Sequence, residues 1–502
     1  MEMKRFFKQV GCTALWCAAI ATTHLLSACT QENDPDLNKP ETEQTDPEVT
    51  YNGTTAYSKG ILFNHGTELG NGTQEFVFTG DVTLAKGTYL LRGWIYVADG
   101  AVLRIPAGTI LKGQKQTKAA LIVEPGGVVE MKGSRTQPIV MTSEAAPGQR
   151  RPGDWGGLII CGRALNNAGE QQIEGGPRTK HGGDNDADYS GIYQYVRVEF
   201  AGYPFQTDKE INGITFGSVG TKTVVDHLQV SYSNDDSYEW FGGSMNATHL
   251  IAYKGWDDDF DTDNGFSGTV QYALAVRDPR IADTSQSNGF ESDNNATGAD
   301  TAPFTSATFR NVTLIGPITA RNSDFQNNSN YITAGDLVPN NDSKLGKFQA
   351  AVQIRRSSRL NLENMLAVGF PIGLIIDGEK GNTPQYAQEG KLHLRNVWFA
   401  SMAALGSDNN KKYEDELLID RQEGVYDSSQ PSWSHTFFLS ESSNKETSEA
   451  ELTLTDPAHL GQNYLPSTML GDGSDGYIGA FRDASDDWME GWTNFDPQNT
   501  AY

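Results

Sequence analysis

The sequence predicts an all-β solenoid, a parallel β-helix, and three observations carry that prediction. His227-Leu228 leads to Asp235-Asp236-Ser237-Tyr238-Glu239, and 22 residues later His249-Leu250 leads to Asp257-Asp258-Asp259-Phe260-Asp261. Short apolar runs entered and left by glycine recur at similar intervals, in Gly87–Gly93, Gly108–Gly113 and Gly127–Gly133. The composition, with 53 Gly, 10% aromatic and 37% hydrophobic residues, describes a turn-rich chain whose interior lacks an apolar run long enough to span a membrane. A period near 22 suits one solenoid coil, so equivalent residues stack about 4.8 Å apart.

Taken in order, residues 1–28 carry Lys4, Arg5 and Lys8, then a largely apolar run from Val10 to Ala21, then Leu26-Ser27-Ala28-Cys29. This resembles a bacterial lipoprotein signal, which implies lipidation at Cys29 (palmitate among the acyl chains) and anchoring in the outer membrane. Residues 29–58 are acidic and poor in large aliphatics, which predicts a flexible tether. Acids directly after such a cysteine are similar to the export signal of Bacteroidetes surface lipoproteins, implying a domain that faces the cell exterior. The formal net charge is −25, and losing residues 1–28 makes it more negative. A charge of that sign disfavours nucleic acid and attracts divalent cations or basic partners. Once Cys12 and Cys17 leave with the signal and Cys29 is lipidated, Cys161 stands alone in an apolar strand, so no disulfide framework forms within one chain.

The β-helix is predicted over residues 59–405. Pro106 and Pro125 follow short strands at matching corners, where no ladder hydrogen bond is needed. Residues 166–190 and 321–347 break the period and read as polar loops bulging from corners. Later coils are marked by Ala307–Leu314, Arg359–Leu366 and Lys391–Trp398. Residues 406–502 lose the repeat, with a short helix expected at 413–418, and their aromatic segments Tyr477–Phe481 and Trp488–Phe495 predict a cap on the exposed end of the solenoid. Ala101–Lys112, Ala119–Met141 and Gly153–Ile160 resemble the opening coils of right-handed parallel β-helix surface proteins of the pectin-lyase-like superfamily, a likeness covering residues 75–400.

A third coil, Gly289-Phe290-Glu291-Ser292-Asp293-Asn294, repeats the order of Phe260-Asp261-Thr262-Asp263-Asn264 after an insertion. If the aromatics point inward, Glu239, Asp261 and Glu291 form an outward ladder, with Asp263 and Asp293 beside it. Stacked carboxylates repel unless neutralised, and calcium, a hard cation taking six to eight oxygens, suits them. The expected metal ligands are Glu239, Asp259, Asp261, Asp263, Glu291 and Asp293. The segment from Asp259 to Gly265 departs from an EF-hand, whose glycine falls one place earlier.

An enzyme built on these acids would use Asp257, Asp258 and Asp261, since Asp261–Gly265 resembles the Asn-Thr-Asp-Gly of polygalacturonase-type hydrolases. Their Gly-His-Gly and Arg-Ile-Lys are missing here. Val225–Ser231 resembles the Ile-Asp-His segment of pectate lyases, but counting coils along the chain puts Arg355 and Arg356, the available bases, more than four turns, or roughly 20 Å, away. His227 and His249 read as corner residues for want of a third ligand. Tyr238, Trp240 and Trp256, set among charges, are the candidates for a sugar-stacking surface.

Together these readings predict a lipid-anchored surface binding or accessory protein with an acidic, calcium-organised face for an extracellular glycan or other nutrient. A TonB-dependent outer-membrane transporter is the candidate partner. The alternatives are a polysaccharide lyase or glycoside hydrolase, and an adhesion or structural surface protein.

Overall fold

The chain winds into a right-handed parallel β-helix whose coils alternate between two long sheets of 13 and 15 strands. The computed structural model describes residues 48–51, 54–58, 68–206, 209–339, 341–408 and 431–502, apart from 472, 474–475 and 487. The expected signal, Cys29, most of the expected tether and the expected helix at 413–418 lie outside the described residues. Among the described residues no helix is long and apolar enough to cross a membrane.

The 22-residue echo is one coil. Val224–Ser231 of the larger sheet lies beside Ala247–Tyr253, with Asp226 opposite Thr248. In the smaller sheet Tyr238–Gly243 lies beside Phe260–Asp263, with Glu239 opposite Asp261. Every rung from Phe76–Thr79 to Ala404–Ser407 in the smaller sheet pairs in parallel. Inward side chains stack as the pleat requires. Phe216, Trp240 and Phe266 lie at 5.6 and 5.3 Å, and Tyr238, Phe260 and Phe290 at 5.8 and 5.2 Å. Cys161 belongs to this buried interior, and burial pushes its thiol pKa well up, as an inert packing residue requires.

The early coils have three strands. Val128–Lys132 and Ile139–Ser143 are separate, but both pair with the long strand Gly191–Glu199, the first through residues 191–194 and the second through 196–198. The joint is Tyr195, in the left-handed region at φ 51°. The same corner then climbs the helix as His227, His249, Tyr272, Asn311, Asn364 and Asn396, all with φ between 54° and 62°. Asn tolerates that region through local hydrogen bonding. The rings at the other rungs stack on one another, Tyr195 on His227 at 4.3 Å and His249 on Tyr272 at 5.0 Å.

Two expectations about the ends are revised, and one insertion finds its place. Glu48–Tyr51 and Thr54–Ser58 form an antiparallel pair, and Thr54–Ser58 also pairs in parallel with Phe76–Thr79, so the last part of the expected tether is already sheet. The Asn-rich loop lies within a single coil, between Thr308–Ile315 and Ala350–Ile354. The aromatic C-terminal segment does not cap the end of the solenoid. The helix Trp433–Ser440 covers the last coil, with Phe438 stacked on Phe399 at 4.5 Å, and Lys445–Thr447 adds a final strand.

Beyond that strand the chain runs back along the outside of the larger sheet. Ile478, Phe481, Met489 and Trp492 pack with Ile251, Val276, Ile315 and Val368, which occupy outward positions of their strands. The end of this strap reaches the early coils, where Lys112 Nζ donates to the Tyr502 carbonyl at 2.9 Å and Gln229 bonds Asn494 in both directions. An apolar residue on the outer face must be covered, and the strap covers it.

Candidate functional site

Three successive coils of the smaller sheet carry a groove of carboxylates on their outer side. Because the side chains of Tyr238, Phe260 and Phe290 point inward, their neighbours Glu239, Asp261 and Glu291 point outward, in register from rung to rung. Asp263 and Asp293 follow two positions later on the same face. The turns leading into these strands supply Asp235 and Asp236 on the first rung and Asp257 and Asp258 on the second.

Backbone hydrogen bonds fix the turn acids. Asp236 Oδ1 accepts from the Asp258 backbone N–H at 2.8 Å, and Asp258 Oδ1 in turn accepts from that of Asn288. The Asn212 amide donates to Glu239 Oε2. Two sets are close enough to share one cation: Asp235, Asp236 and Asp257, and Asp236, Glu239 and Asp261, each offering one ligand atom within 4.8 Å of the others. Asp261 Oδ1 is buried with no hydrogen-bond partner among the described residues.

Burial first, and the neighbouring carboxylates second, push Asp235, Asp236, Asp257 and Asp261 well above the usual carboxylate range. For Glu239, burial and the charges of Glu174 and Asp235 raise the pKa against the Asn212 hydrogen bond. Glu174 belongs to the 166–190 loop, which walls the groove and, with Gln171 and Phe241, lines a cavity of about 370 Å³ beside it.

The far end of the groove is basic. Arg355 donates to Glu291 and, at 2.8 Å, to Asp293, and Arg356 reaches the second oxygen of Asp293 at 2.6 Å. This corrects the distance argument from the sequence. Glu291 lies opposite Gln353, and only three rungs separate Val224–Ser231 from the coil that carries Arg355, because the Asn-rich insertion adds residues without adding turns. Burial opposes the charge on Arg355, but Glu291 and Asp293 outweigh it and raise its pKa further.

Glu239, Asp261, Asp263, Glu291 and Asp293 thus share one groove, together with Asp257 and Asp258. Asp259 does not join them. Its side chain turns inward to a fully buried pair with Arg277, at 2.9 Å. Tyr238, Trp240 and Trp256 are all 0% exposed, so none offers a face to a sugar. Trp240 is flanked by outward residues, and alternation therefore sends it into the core, while Trp256 packs in a separate buried cluster with Ile281. The site expected from sequence also lacked Asp235, Asp236 and Asn212. Asp235 and Asp236 were legible as the counterparts of Asp257 and Asp258 one period earlier; Asn212 carries no such echo.

Fold and groove define the class: a right-handed parallel β-helix with an ionisable face on one sheet. The chain belongs to the pectate-lyase-like β-helix domain family, whose model matches residues 76–438. No curated protein and no solved structure matches the chain.

Proposed function

We propose that this is a lipid-anchored surface binding protein whose carboxylate groove holds calcium and, through it, captures an extracellular glycan or other nutrient for a partner such as a TonB-dependent transporter. One observation carries the reading: among the described residues only Glu291 and Asp293 of the groove acids are ion-paired with arginines, while Asp235, Asp236, Glu239, Asp257 and Asp261 form two overlapping sets within bonding range of a shared cation. Hard oxygen donors without nitrogen or sulfur favour calcium over transition metals. The adjoining cavity, with its amide and aromatic walls, suits a polar ligand seated beside the ion.

Calorimetric titration of the protein with calcium, then with a panel of neutral and acidic glycans in its presence, tests the proposal. Calcium binding lost in a Glu239→Gln, Asp261→Asn variant supports it; calcium binding that is absent, or unchanged in that variant, overturns it. An enzymatic reading, lyase or hydrolase, is favoured by the nearness of Arg355 to the groove. A guanidinium gripped by two carboxylates holds its proton, however, and a lyase base must give up its charge. Formation of unsaturated or reducing ends from those glycans would reverse that judgement.

A further inference from the structure

A second cluster of ligating side chains lies at the left-handed corner of the larger sheet. His227 Nδ1 is 2.7 Å and His249 Nδ1 is 3.0 Å from the same atom, Asp226 Oδ1, and the Thr248 hydroxyl donates to that oxygen at 2.6 Å. The two imidazoles stack at 4.1 Å. Trp488 and Trp492 of the strap meet them edge-on, at 5.1 to 6.3 Å. The cluster remains open to solvent, with side-chain exposures of 12% for His227, 21% for His249 and 27% for Asp226.

The corner's backbone does not call for histidine. Asn311, Asn364 and Asn396 fill the same position on later rungs at φ 54° to 56°. Histidine on two adjacent rungs, with an aspartate one residue before the first, brings two imidazole nitrogens and a carboxylate oxygen within 4.8 Å of one another. Two nitrogens and one oxygen form a borderline donor set, which calcium disfavours and zinc, copper and nickel favour.

We propose that Asp226, His227 and His249 bind a divalent transition-metal ion of the zinc, copper or nickel class, with solvent completing its coordination. The stacked rings turn slightly about their Cβ–Cγ bonds so that both Nδ1 lone pairs meet beside Asp226 Oδ1. The Thr248 hydroxyl then orients the carboxylate from outside, as groups behind metal ligands commonly do. Tyr195, Tyr272 and the two strap tryptophans wall the site on its protein side. This site differs from the groove in donor chemistry and lies on the other sheet, so the two bind independently.

The test is calorimetric titration of zinc into the tag-free full chain saturated with calcium. One equivalent should bind, and His227→Asn, His249→Asn should weaken it by more than about 100-fold, since outer partners alone account for about 10- to 100-fold at such sites. Asn is the substitute of choice because the fold already accepts it at this corner. The groove variant Glu239→Gln, Asp261→Asn should bind zinc as the parent does. Electron paramagnetic resonance of the copper-loaded parent, which needs no variant, should show coupling to two nitrogens. Absence of zinc binding, zinc binding unchanged in the double histidine variant, zinc binding lost in the groove variant, or a copper spectrum without nitrogen coupling would each overturn the proposal.

Discussion

Asp261→Asn should make the calcium-free protein more stable and the calcium response smaller. Asp261, Asp236 and Glu239 each bring an oxygen within 4.8 Å of the others. At an effective dielectric of about 20, one such pair of full charges costs about 3.5 kcal/mol, so Asp261 alone adds about 7 kcal/mol when all three are ionised. That is comparable to the whole stability of many domains. Protonating one carboxyl instead costs about 4 kcal/mol near pH 7 and about 1.5 near pH 5, and the cluster takes this cheaper course. Removing the Asp261 charge should therefore stabilise the calcium-free protein by up to about 4 kcal/mol near pH 7 and up to about 1.5 near pH 5.

The sign follows from linkage. These acids have folded pKa values above their unfolded ones, so the folded state binds more protons in that window and loses stability as pH rises through it. On the proposed reading calcium would take the place of those protons, and at a hundredfold excess over its Kd it should add about 2.7 kcal/mol. Denaturant unfolding followed by circular dichroism, with calcium and with chelator at both pH values, reads all four states. If Asp261→Asn destabilises the calcium-free protein at neutral pH, or responds to calcium as the parent does, the electrostatic argument is wrong.

Two other outcomes are expected. Trp492 of the strap is buried against the larger sheet with its indole N–H on the Trp488 carbonyl at 2.9 Å, so Trp492→Ala should cost about 3–5 kcal/mol of local stability; limited proteolysis should cut the strap first and leave the β-helix intact, and simultaneous loss of both would contradict this. Burial lowers the pKa of His181, which packs between Ser218 and Phe241, to about 4. Its unfolded form binds the proton more readily, so its contribution of about 3 kcal/mol is complete above about pH 6.5 and lost as pH falls toward about 4; His181→Gln, measured in calcium, should flatten that part of the stability profile.

Much of the fold was legible because a solenoid writes its geometry as a period. The match of Asp235–Glu239 to Asp257–Asp261 became register, and the insertion before Glu291 moved no acid off the ladder. Errors arose where the chain leaves the period. Arg355 looked remote because separation was counted in residues, although a loop adds residues without adding height. Trp240 looked exposed because charged residues lie close to it in the sequence, yet in a strand an outward neighbour on each side marks an inward residue. The strap carries no repeat, so its docking place was silent, but its partner surface was not. Leu250-Ile251-Ala252-Tyr253 and Ala273-Leu274-Ala275-Val276 are unbroken apolar runs, which belong to strands covered on both faces.

A stack of coils normally couples only nearest neighbours, and can fray from either end while its middle stays folded. Here the last residues reach Lys112, 390 positions back in the chain, and touch outer faces of many coils on the way. That contact raises the contact order and ties distant coils of the stack into one cooperative unit, so the final step of folding waits until the strap has docked. The same tie should slow unfolding under load, because pulling a coil off the end first requires stripping the strap from its neighbours.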